Sequence, residues 1–106
     1  MSAIRYTVEV AFPDEEVAER WLNWMRAGHA AEVLAGGATA AEIVRRDGPV
    51  IEYEARYSFS SREAFDRYER EHAPRLRSAG LRLFPTEHGI HYHRTTGVVM
   101  AEFRGP

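Results

Sequence analysis

A chain of 106 residues fits one domain, large enough for a single core without disulfides or a structural metal. It has no cysteine, which excludes thiol chemistry, disulfide frameworks and cysteine-ligated zinc or iron–sulfur sites. All 14 basic residues are arginine, which excludes Schiff-base and lysine-nucleophile chemistry, and the net charge of −2 argues against nucleic acid, whose phosphates are bound at basic patches.

In chain order, Ile4 to Phe12 alternates Ile4, Tyr6, Val8, Val10 and Phe12 with Arg5, Thr7, Glu9 and Ala11. That period of two predicts a strand with one apolar and one polar face. Asp14 then caps a predicted helix whose first turn carries Glu15 and Glu16, suited to the positive end of the helix dipole. Val17, Trp21, Leu22, Trp24 and Met25 form its apolar stripe. Gly28 marks a stop or kink, with helix resuming through His29 to Leu34 before Gly36-Gly37.

Thr39 to Arg46 and Val50 to Phe59 read as two strands joined at Asp47-Gly48-Pro49, a strong hairpin signal. A two-residue turn puts Val44 beside Ile51; a three-residue turn puts Ile43 there, and the side that Glu42 faces stays open between them. In the third strand Ile51, Tyr53, Ala55, Tyr57 and Phe59 share one face, with Glu52, Glu54, Arg56 and Ser58 on the other. Ser60 as cap with Glu63 makes a capping box for a helix carrying Ala64, Phe65 and Tyr68 inward. Pro74 cannot sit inside that helix, so it breaks near His72-Ala73, and a second short turn ends at Gly80. The segment Glu87 to Arg94 reads as the last strand, with Ile90 and Tyr92 on one face and His91 and His93 on the other. The tail, residues 97–106, is too apolar to float free and is expected to pack on the domain or on a partner.

Strand-helix-strand-strand-helix-strand is the split βαβ order of the α+β, ferredoxin-like fold: an antiparallel βαββαβ sheet with two helices on one face. Its usual strand order sets the last strand beside the first, placing His91 and His93 near Thr7 and Glu9, with Glu54 and Arg56 one strand further on.

The segments Ser61 to Tyr68, Glu71 to Arg77 and Gly89 to Gly97, with the opening strand and the Trp21-Leu22-Asn23-Trp24 helix, resemble a bacterial family known only as domain of unknown function 4286. The resemblance implies a homodimer of the dimeric α/β-barrel type, two sheets closing their open faces around a cavity. It implies no activity and no catalytic residues. It also implies arginine or other polar residues where this chain has His91 and His93, which would make a histidine site particular to this chain.

Thr7, Glu9, Glu54, Arg56, His91 and His93, with His72 at the helix break, are the candidate ligand-binding residues. A cavity lined by carboxylates and imidazoles suits acid–base chemistry on a small polar or carbonyl-containing ligand. The alternative is a non-catalytic dimer module in which the same residues only knit the interface; the two readings stand level. A third reading, a metal held by His91, His93 and Glu54, ranks below both, because His-x-His alone is unspecific. For His72, interaction with the carbonyls at a helix end outranks catalysis. The aromatics Trp21, Trp24, Tyr53, Tyr57, Phe59, Phe65 and Tyr68 read as core rather than as a cofactor box. Glu52 and Glu54 stand where an RNA-binding sheet would carry stacking aromatics. No cofactor motif, signal peptide or membrane-length apolar run is present, so the expectation is a cytoplasmic protein without nucleic-acid or membrane partners.

Overall fold

The computed structural model describes residues 2–106. Four antiparallel strands, β1 (Ile4–Phe12), β2 (Ala40–Arg45), β3 (Ile51–Phe59) and β4 (His91–Val98), lie in the order β2-β3-β1-β4. Between them run α1 (Glu15–Trp24), α2 (Ala30–Ala35), α3 (Arg62–Glu71) and α4 (Ala73–Leu83). This is the ferredoxin-like α+β fold that the element order predicts. No helix among the described residues is long and apolar enough to cross a membrane.

The predicted apolar faces of β1 and β3 are the buried ones. Ile4, Tyr6, Val10 and Phe12 meet Tyr53, Ala55, Tyr57 and Phe59 in one core with Ala18, Trp21 and Met25 of the first helix and Phe65, Tyr68 and Leu76 of the later ones. Asp14 caps α1, its Oδ1 accepting from the Val17 N–H at 2.9 Å. A wide π-type turn at Met25–His29, bent at Gly28, carries α1 into α2. So Gly28 kinks the helix rather than ending it.

Four sequence expectations change. The cap of α3 is Ser61, whose Oγ accepts from the Ala64 N–H at 3.1 Å; Glu63 therefore falls one position short of closing a box. Gly80 does not end α4, which continues to Leu83. It is glycine because the Trp24 ring lies over it, where a Cβ would come within 3.2 Å of Trp24 Cη2. Thr86–His88 is a 3-10 turn closed by Gly89 at φ 83°, so the last strand starts only at His91. Finally, the β2–β3 connection is longer than either hairpin considered. Arg46 N–H reaches the Glu52 carbonyl at 2.9 Å, and residues 46–50 connect the two strands. The parity of this loop puts Ile43 on the helix side and Glu42, opposite Arg56, on the open face.

At the start of the tail Val99 N–H donates to the Ala3 carbonyl at 2.9 Å, and further on Glu102 accepts from Arg5 Nη2 at 3.4 Å. The apolar side chains of Met100 and Phe103 are 88% and 93% exposed.

Candidate functional site

The open face of the sheet carries the residues that the sequence singles out, in transverse rows. One row runs Val44, Glu54, Glu9, His93; the next holds Glu52, Ala11, His91; on the other side come Glu42, Arg56, Thr7, Thr95. Glu9 pairs with Glu54 and Thr7 with Arg56, a register that the sequence leaves open. On β4, His93 faces Glu9, within the predicted neighbourhood, while His91 faces Ala11.

Like charges directly opposed on neighbouring strands repel, and Glu9 against Glu54 is such a pair. Arg46, from the end of β2, relieves it. Its Nη1 lies 3.3 Å from Glu9 Oε1 and also binds Glu52, and its Nε lies 3.5 Å from Glu54 Oε2. Arg56 adds Glu54 at 3.1 Å and Glu42 at 3.4 Å. Arg46 carries no special signal in the sequence, yet it is the hub of this face. Both imidazoles point to solvent in the protomer. His93 and Glu54 stand two strands apart, with Glu9 between them. Among the described residues no group of three or more His, Asp or Glu converges as a metal site needs. His72 sits on the other side of the molecule, stacked on Tyr68 (centroids 6.4 Å apart) and against Gly36.

A half-open cavity lies on the helix side. Between the sheet and the helices is a cavity with about 60 Å³ of room for water centres; since a single water needs roughly 10–15 Å³ of such room, the space holds several. Tyr6, Ala55 and Tyr57 form its floor, Trp24, Tyr68 and Leu76 its walls, and Arg77, His29 and Arg94 its polar fittings. Each inward position follows from periodicity: alternate residues on β1, β3 and β4, and Ala73, Leu76, Arg77 and Gly80 on the inner stripe of α4.

Arg77 Nη2 donates to Tyr6 Oη at 3.1 Å and to Glu69 at 2.7 Å, while its Nε is buried without a partner. Burial opposes its charge, but the hydrogen bonds it donates to Glu69 and Tyr6 outweigh that and raise its pKa. Tyr57 and Tyr68 find no hydroxyl partner among the described residues. Burial, reinforced by the neighbouring phenols, raises the Tyr57 pKa and pushes Tyr68 up to about 12, so both are neutral donors at physiological pH. Arg94 lies across the Tyr92 ring at 5.6 Å and close enough to Tyr68 to oppose that rise. Tyr92 itself is spent on the Phe84 carbonyl, 2.6 Å away.

A family model described as "Domain of unknown function (DUF4286)" matches residues 3–96. The chain belongs to this family. No functionally curated protein matches it. Among solved structures it resembles two dimeric ferredoxin-like proteins from uncultured marine organisms. One has TM-score 0.76 and 14% identity, covering 97% of this chain and 100% of that one; the other has TM-score 0.76 and 17% identity, covering 97% and 99%. It also resembles SnoaB, a cofactor-independent oxygenase from Streptomyces nogalater, with TM-score 0.65 and 15% identity over 100% of this chain and 99% of that one. At such identities the likeness shows the fold alone.

For this DUF4286 member, the cavity leaves one titratable group to follow. His29 stacks on Trp24 with centroids 4.1 Å apart, and burial lowers its pKa from 6.5, only partly offset by Glu32. A histidine depressed in the folded state leaves stability intact above the unfolded pKa and loses it as pH falls below that value. The melting temperature is therefore expected to drop as pH goes from 7.5 to 5.5, and His29→Gln to flatten part of that drop. Identical slopes for variant and wild type would mean that His29 titrates freely.

Proposed function

We propose that this protein is a homodimer that binds a small, flat, oxygen-bearing molecule in the cavity between its helices and its sheet. One observation carries the ligand reading: that half-open cavity brings aromatic walls together with unpartnered hydrogen-bond donors. Ligand pockets are mostly apolar with a few placed polar groups, and Trp24, Tyr57, Tyr68, Arg77 and Arg94 fit that pattern. SnoaB, a cofactor-independent oxygenase of the same fold, supports chemistry run without a bound cofactor. The deciding test is amide chemical-shift mapping during titration with small aromatic compounds. Shifts at Trp24, Ala55, Tyr57 and Leu76 are expected. Shifts confined to Thr7, Glu9, Glu54, Arg56, His91 and His93 would move the ligand to the open sheet face, and no shifts at all would end the ligand reading.

The open face then serves as the seam between protomers. Two similar proteins are described as dimeric ferredoxin-like, and a half-buried polar sheet face held by ion pairs suits a wet interface better than a ligand cage. Exposed pairs of this kind contribute only about 0–1 kcal/mol each to the protomer. Arg46→Glu is different, since it sets a fourth carboxylate among Glu9, Glu52 and Glu54. Sedimentation equilibrium is expected to show wild-type dimer and a variant dissociating at least tenfold more readily. Equal dissociation constants would place the seam elsewhere.

A further inference from the structure

The helix-side cavity also indicates what kind of molecule it takes; this step rests on the ligand reading just given. The polar groups that line it are unbalanced. The donors are the Tyr57 and Tyr68 hydroxyls and the Arg94 guanidinium. The carboxylate next to them, Glu69, is already bound by Arg77 Nη2. Arg94 has no carboxylate partner among the described residues and rests on the Tyr92 ring instead. A guanidinium left over an aromatic face at a cavity mouth is one still able to pair, because its planar fork matches a carboxylate or a phenolate oxygen.

The walls set the other half of the ligand. Trp21, Trp24, Tyr6 and Tyr57 present rings, and aromatic side chains favour offset-stacked or edge-on partners. Room for about five water-sized atoms accepts one ring edge and its substituent, with the remainder of a larger molecule left toward Leu81 at the surface.

We infer that the cavity binds an aromatic anion, its ring between Trp24 and Tyr57 and its ionised oxygen held by Arg94 with the hydroxyls of Tyr57 and Tyr68. Carboxylate and phenolate share this chemistry. The test therefore uses benzoate and 4-nitrophenol, the latter above and below its ionisation, beside benzamide as a neutral ring and acetate as a ringless anion. Binding is read by tryptophan fluorescence and calorimetry.

Benzoate or 4-nitrophenolate is expected to bind at least tenfold more tightly than benzamide or acetate, and whichever of the two binds better identifies the natural oxygen. Arg94→Gln, at an exposed position with no carboxylate to release, is expected to keep the melting temperature. It should lose tenfold or more in affinity for the anion and leave benzamide unaffected, with Arg94→Lys regaining part of the loss. Benzamide binding as tightly as benzoate, or an anion affinity indifferent to Arg94→Gln, would overturn the anion assignment while the cavity reading stands. If no aromatic compound binds at all, both fall together.

Discussion

Phe59→Ala is expected to lower stability by about 3–5 kcal/mol, the range for removing a fully buried phenylalanine. Phe59 has no exposed surface, and its ring meets Phe65 edge-on at 5.2 Å and Tyr68 at 5.1 Å. Both neighbours belong to α3, so the ring, together with Tyr6, ties that helix to the central sheet. In a domain of this size each kcal/mol moves the midpoint by roughly 4–8 °C, so the melting temperature should fall by roughly 12–40 °C. Urea denaturation measures it directly: the midpoint should shift with little change in slope, since the surface exposed on unfolding is nearly the same. A loss below about 1 kcal/mol, within the range of surface substitutions, would mean that the α3–sheet packing described here is wrong. The variant has a functional consequence as well. Phe59 backs Tyr68, so in whatever fraction remains folded the Tyr68 hydroxyl should lose its fixed position in the cavity.

The strand faces were open to sequence reading because alternation on β1 and β3 is nearly unbroken. Two residues of the same parity there must share a side of the sheet, but which of them pair, such as Glu9 with Glu54 and Thr7 with Arg56, is set by a register that alternation does not record. The position of His91 and His93 was less accessible. The last strand starts only at His91, after the Thr86–His88 turn, and its rungs are fixed by pairing with β1. That pairing joins segments far apart in sequence, and no local pattern records it. The hairpin at Asp47-Gly48 was legible while the face of Glu42 was not, because that face depends on the loop length, which no residue pattern records.

The cavity was obscured for a different reason. Trp24, Tyr57 and Tyr68 sit at inward positions and so read as core, which they are; that they leave a gap among themselves depends on packing, not on pattern. Two residues did carry a signal. Arg94 follows Ile90 and Tyr92 on the inward parity of β4, and Arg77 lies on the inner stripe of α4 with Leu76. A charged residue on an apolar stripe is costly unless paired or wet. Such a position marks a place where the interior has polar business, and here both point into the same space.

Ala55→Leu is expected to abolish ligand binding while leaving the fold in place. Ala55 is 1% exposed at the centre of β3 and lines the cavity floor between Tyr57 and the helices. Added carbons there enter empty space, and burying them contributes about 0.8 kcal/mol per methylene. Fitting a larger side chain among fixed rings opposes this by about 1–3 kcal/mol, so the net change in stability should be small in either direction. The space for a ring, however, is gone, and fluorescence titration with aromatic anions should show no saturable binding. Ala11→Leu supplies the control, because it makes the same chemical change on the opposite face, between Glu52 and His91. It should leave ligand affinity intact and weaken self-association. The reverse outcome, with binding lost on substituting Ala11 and retained on substituting Ala55, would exchange the two faces: the ligand would belong among the histidines, and the helix-side space would be no more than a packing gap.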